Sequence, residues 1–161
     1  NNESQIADRI HNIVQVEQPI HLELLYKRMA GYFGNEKVTD TIRNTVNDVI
    51  KQKIENQIQI DGDSFITLID FSTPKVRRSL PGSPDRSIEY IPLKEIEEAM
   101  KIVLSGAFGV ETSALILETA RIFGFEKAGI KIRKKLMIAI ESLKAKGYIR
   151  VSDDRVQLLE D

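Results

Sequence analysis

Cysteine is missing altogether from this chain of 161 residues, and histidine occurs only twice, as His11 and His21. The first absence excludes disulfides and thiolate metal sites, and it suits a reducing, cytoplasmic setting. The two histidines fall on different expected elements, with no Asp/Glu cluster at ligand spacing, so neither a metal nor a cofactor is expected. His21 reads as a helix-start residue that satisfies local backbone groups, and His11 as a solvated helix position. No apolar run approaches the roughly 18 residues of a membrane-spanning helix, and no charged-then-apolar leader opens the chain, so no membrane partner is expected. The phosphate loop GxxxxGK[ST], the GxGxxG turn and the HExxH pair are all absent. Without their backbone cradles and paired ligands, the chain does not read as an enzyme. An excess of positive charge is lacking too: 23 Lys and Arg stand against 24 Asp and Glu, a net charge of −1. The chain as a whole does not advertise nucleic-acid binding.

What is present is a globular composition, 42% apolar, in a length that suits one domain or two small ones. Asn1 rather than Met opens the sequence, as in a piece of a larger protein.

The organising stretch is Phe123 to Leu158, FGFEKAGIKIRKKLMIAIESLKAKGYIRVSDDRVQL. It reads as a basic helix, a glycine stop at Gly147 and a two-stranded hairpin around Asp153-Asp154. A diverged copy, FGNEKVTDTIRNTVNDVIKQKIENQIQIDGDSFITL, spans Phe33 to Leu68. At an offset of ninety, Leu25 meets Leu115, Ala30 meets Ala120, Phe33-Gly34 meets Phe123-Gly124, Ile42-Arg43 meets Ile132-Arg133, and Ile50 meets Ile140. A shift of one residue then aligns Ile58 and Ile60 with Ile149 and Val151. Core positions match while surface positions diverge, as in two copies of one packing scheme.

Each copy reads as three helices and a hairpin. In the first, Ser4 is expected to cap a helix running to about Val16, and Pro19-Ile20-His21 forms an extended link able to pair as a strand. A second helix runs from about Leu22 to Phe33 and stops at Gly34, and a third runs from about Thr39 to Ile54. Gln57 to Ile60 and Phe65 to Leu68 are the hairpin around Asp61-Gly62-Asp63. From Ser72 to Ser87 three prolines, one glycine and four serines rule out a regular element, so a linker is expected. In the second copy, Ile88 to Ile91 reads as extended. Pro92 opens a helix to about Leu104 with Ile96, Met100, Ile102 and Val103 inward. Acidic residues gather on it at Glu95, Glu97 and Glu98, and the pair Glu97-Glu98 reads as a polar face. A helix from about Thr112 to Phe123 follows, and then the basic helix from about Lys127 to Lys146. The expected fold is mainly α (α+β), two tandem winged-helix-like units over 1–71 and 88–161 joined by a linker over 72–87.

Charge is unevenly spread. Between Lys127 and Lys146 seven Lys or Arg stand against the single Glu141. Ile132, Leu136, Ala139, Ile140 and Leu143 fall within one arc at 100° per residue and form the core stripe. Lys127, Lys131, Lys134 and Lys135 fall on the far side, with Arg133 at its edge. These five, with Arg150 and Arg155 on the second wing, are the candidate phosphate contacts. Arg43 is the counterpart of Arg133 in the first unit, and Arg77 and Arg78 are candidate arms in the linker. The competing reading makes the lysines the solvated face of an amphipathic helix. Ile138, in the middle of the basic face, meets either a base or sugar or a protein partner.

The segments IVQVEQPIHLELLYKRMAGYFG and FGFEKAGIKIRKKL resemble the uncharacterised C-terminal domain of large bacterial superfamily I helicase-like proteins. That family has a phrase like VVEVEGPIH before a helix and a phrase like GFxRxGxxI at the later one. Here Val14 to His21 reads VQVEQPIH, with Gln18 in place of the Gly, and Glu126-Lys127 stands where the Arg is usual. The resemblance implies a parent with ATPase motor domains, often with a nuclease-like domain upstream, whose motifs this sequence lacks. The expected role is a non-catalytic DNA-binding accessory module of such a parent, in contact with its upstream motor or nuclease domains. The alternative is a protein-interaction module of the same fold, docking within the parent or forming a homo-oligomer.

Overall fold

The structure is a computed structural model that describes residues 2–159. The chain divides into two compact units, the boundary falling between Ser72 and Thr73.

In the first unit, helix α1 (Glu3–Glu17) buries Ile6, Ile10, Ile13 and Val14 along one stripe. Its cap is Asn2 rather than the expected Ser4. Asn2 Oδ1 accepts from Gln5 N–H at 2.8 Å and Gln5 Oε1 accepts from Asn2 N–H at 3.4 Å, a reciprocal arrangement that satisfies two otherwise orphaned donors. Strand β1 (Ile20–His21) leads directly into α2 (Leu22–Tyr32). His21 caps α2, its Nδ1 accepting from Glu23 N–H at 3.1 Å. Gly34, at φ +80, then turns the chain in the left-handed region.

Helix α3 (Asp40–Val49) starts at a Thr39 cap. The expected single helix to Ile54 is not continuous α-helix: Ile50–Ile54 widens into a π-helical turn, followed by a 3-10 turn over Glu55–Gln57. The wider turn keeps both Ile50 and Ile54 buried. Strands β2 (Ile58–Ile60) and β3 (Phe65–Leu68) complete an antiparallel sheet of order β1–β3–β2.

The second unit repeats this order. It comprises α4 (Leu93–Leu104), β4 (Val110–Glu111), α5 (Thr112–Ile122), α6 (Ile130–Ala145), β5 (Ile149–Ser152) and β6 (Arg155–Leu158). Its sheet order is β4–β6–β5, and the fold is α+β. Relative to the first unit, β4, α5, β6 and the start of α6 are each displaced by ninety residues, and only β5 begins ninety-one residues after β2. A tertiary contact repeats as well. Leu22 N–H donates to Ser64 O, and Thr112 N–H to Asp154 O, both at 2.8 Å, which ties the hairpin turn to the first residue of α2 and of α5. The second hairpin turns through Asp153 and Asp154 at φ 49 and 63, the two-residue turn whose twist suits a hairpin.

Several expectations for this unit need correction. Residues 73–87 hold no regular element beyond a Leu80–Ser83 bridge, yet they are not a free tether. Val76 packs against the core, Ser79 N–H donates to Ile122 O and Gly82 N–H to Gly124 O, both at 3.0 Å. Ile88–Tyr90 is a 3-10 turn rather than an extended segment. Ile102 is 46% exposed, whereas Glu97, read as part of a polar face, is buried, and so is Glu95. Glu97 is held there by Lys146 Nζ at 2.9 Å and Ser142 Oγ at 3.3 Å. Helix α6 begins at Ile130 with Gly129 as its cap, so Lys127 lies in the turn that precedes it.

Candidate nucleic-acid interface

Helix α6 buries Leu136, Ala139, Ile140 and Leu143, and Ile132 packs partly against the same core. This stripe fixes which face points outward. Lys131, Arg133 and Lys134 are exposed on α6, and Lys127 is exposed in the preceding turn. None of these four forms an ion pair with another described residue. Gly129 offers no side chain to the first N–H groups of α6, and its first turn holds no acid. In α3, Thr39 and Asp40 occupy those two roles. The positive end of the α6 dipole therefore adds to the field of Lys127 and Lys131.

The other candidates are placed differently. Lys135 is half-buried, and its Nζ donates to Ile88 O at 2.9 Å and Ile91 O at 2.5 Å, so it ties α6 to the 3-10 turn instead of facing outward. Arg43 is drawn inward on its own unit. Its Nη2 lies 3.1 Å from Glu23 Oε2 and its Nη1 3.7 Å from Asp40 Oδ1, and its guanidinium stands 5.8 Å from the Tyr26 ring centre. The Glu23 hydrogen bond raises the Arg43 pKa above its ordinary value. Arg77 is half-buried with its backbone N–H on Glu95 Oε2 at 3.0 Å, and Arg78 is exposed between that anchor and the Ser79 one, so neither sits on a swinging arm. Arg150 is exposed on β5, in a long 3.4 Å contact with Gln157 Oε1. Arg155 is exposed while donating to Gly109 O at 2.9 Å.

An open cleft of about 520 Å³ runs beside α5 and the turn into α6, lined by Ser113, Leu117, Arg121, Glu126, Lys127 and Arg133 among others. Its cations outnumber its one carboxylate, and Arg121 leans to Glu118 at 3.4 Å. The wing tip is acidic, with Asp153 and Asp154 both exposed, so positive charge concentrates on the helix side.

Sequence reasoning singled out Ile138 on this face, which is 52% exposed, but missed Ile130, which is 89% exposed. The signal was present: Ile130, Lys134 and Ile138 recur every four residues, opposite Leu136 and Ala139. The burial of Arg86 had no such local signal.

A family model matches residues 1–44. Its description is "Protein of unknown function (DUF3320)". The match covers α1, β1, α2 and the opening of α3, including the VQVEQPIH phrase at Val14 to His21, and it stops well short of α6. Comparison with curated proteins and with solved structures found no match. Among the described residues no helix is long and apolar enough to cross a membrane, and no group of three or more His, Asp or Glu side chains is placed to hold a metal ion.

Proposed function

We propose that the second unit is a DNA-binding module that docks through the N-terminal half of α6 and the turn before it. The observation that carries the reading is the set Lys127, Lys131, Arg133 and Lys134: all four are exposed and form no ion pair with another described residue, in the N-terminal half of the second unit's third helix and the turn before it. In helix-turn-helix proteins that helix enters the major groove with its first residues toward the bases. Cations in that position neutralise phosphates, which supplies affinity without sequence preference.

The chain acts in this proposal as a non-catalytic accessory part of a larger, cytoplasmic, helicase-type bacterial protein. Support comes from the resemblance to helicase C-terminal domains and from the absence of phosphate-loop and metalloprotease motifs. A protein-interaction role has one observation in its favour, the exposed Ile130, Met137 and Ile138 on the same helix.

Fluorescence anisotropy with labelled duplex DNA tests the proposal on the intact chain and on a Lys131→Glu, Lys134→Glu variant. Lys135 is left in place because its ammonium holds backbone carbonyls. Binding by the parent chain and at least tenfold weaker binding by the folded variant is the expected result. Equal binding by both would remove α6 from the interface.

A further inference from the structure

The outermost stripe of α6 is not simply basic. Ile130, Lys134 and Ile138 follow one another at four-residue spacing, Ile130 and Ile138 being 89% and 52% exposed, with Met137 at 36% beside them. Neither Asn nor Gln occurs anywhere in α6, so the amide groups that pair with adenine edges are missing. The cations Lys131 and Arg133 flank the stripe on its two sides. Ile130 and Ile138 lie about 12 Å apart along the axis at 1.5 Å per residue.

A purely electrostatic surface gains nothing from exposed isoleucine. A protein-docking stripe, in turn, would be weakened by a lysine set between its two apolar residues. The floor of the DNA major groove suits all three, because it offers apolar thymine C5-methyl groups and purine acceptors side by side. Flanking cations complement the phosphates on either wall. At about 3.4 Å per base step, 12 Å spans three to four steps, so both isoleucines reach methyl groups along one groove. RNA offers neither the methyl group nor a major groove wide enough for a helix.

Resting on the DNA-binding reading above, we infer that α6 reads duplex DNA through thymine methyl groups, with Ile130 and Ile138 as the reading residues. Phosphate contacts give the affinity, and the isoleucines give a preference for A·T-rich duplex over its uracil counterpart. Removing one well-buried methyl from such a contact lowers affinity about fourfold, and removing two about fifteenfold.

The test measures affinity of the intact chain for alternating A·T duplex and for the same duplex with uracil in place of thymine. A second protein carries Ile130→Ala and Ile138→Ala, exposed positions where truncation leaves no cavity and alanine favours helix. Far-UV circular dichroism verifies that it folds. Four- to fifteenfold tighter binding to the thymine duplex, lost in the alanine variant, is the expected result. Equal affinity for the two duplexes overturns the inference and leaves the phosphate-binding reading standing. Discrimination that persists in the alanine variant also overturns it, assigning the preference to DNA shape. Absence of salt-sensitive binding to either duplex overturns the underlying reading. Self-association that is lost in the alanine variant, with no thymine preference, gives the stripe to a second copy of the chain instead.

Discussion

Arg86 and Glu95 form a two-pronged ion pair inside the second unit. Nη1 meets Oε1 at 2.8 Å and Nη2 meets Oε2 at 2.6 Å, with side-chain exposures of 4% and 1%. Glu95 Oε2 also accepts the Arg77 backbone N–H, while Arg86 Nη2 donates to Arg77 O at 3.3 Å. The guanidinium lies 5.9 Å from the Phe123 ring centre. This cluster explains how a segment rich in proline and serine becomes part of a folded unit: its polar groups find partners on α4, not in a regular ladder.

Glu95→Ala leaves a buried guanidinium without its counter-ion, and the expected loss is about 3–5 kcal/mol, a large share of a small unit's stability. The paired replacement Arg86→Met with Glu95→Leu is expected to lose much less. Urea unfolding of the two proteins, with hydrogen exchange reporting on α4, checks the contrast. Similar losses in both would show that the charges are not coupled as the geometry says.

Neighbouring lysines separate structure from binding. Lys134→Ala changes stability by less than about 0.5 kcal/mol, as exposed substitutions do, and weakens DNA binding. Lys135→Ala loses two charge-assisted bonds to carbonyl oxygens, and about 1.5–3 kcal/mol is expected. Thermal unfolding and anisotropy on both variants separate the two effects.

The glycines that close α2 and α5 differ in what surrounds them. Gly34 sits at φ +80 with nothing within 4 Å of an added Cβ, whereas at Gly124 (φ +90) that atom would lie 2.9 Å from Pro84 Cα and N and from Ser79 Cβ. Gly34→Ala is expected to cost about 1–2 kcal/mol for the left-handed backbone alone. Gly124→Ala adds a clash with the packed 73–87 segment and is expected to cost more. Circular dichroism melts that rank the two the other way would contradict the packing of that segment.

These contrasts mark what the sequence made legible. Core positions of α6 and the doubled helix-hairpin pattern followed from periodicity, because burial at Leu136, Ala139 and Ile140 repeats with the helix. At 100° per residue Lys134 lies about 175° from the centre of the core stripe and Lys135 only about 85° from it, so the phase put Lys135 on the flank, not the far side. That its ammonium caps the Ile88–Tyr90 turn depends on a partner outside the helix. Glu97, read as part of a polar face, and Glu95 are both buried. Their burial depends on Arg86 and Lys146, partners nine and forty-nine residues away, and periodicity carries no information about such pairs. Composition read 72–87 as irregular, and so it is, but irregular backbone still packs on a core when its polar groups find partners, as at Ser79, Gly82 and Arg86.

The central claim, that Lys127, Lys131, Arg133 and Lys134 meet a phosphate backbone, is tested most directly by the salt dependence of duplex binding. For four neutralised phosphates the slope of log affinity against log salt is expected at about −3.6, falling to about −1.8 in the Lys131→Glu, Lys134→Glu variant. No binding to duplex at low salt by a folded chain, or a slope unchanged in that variant, would contradict it.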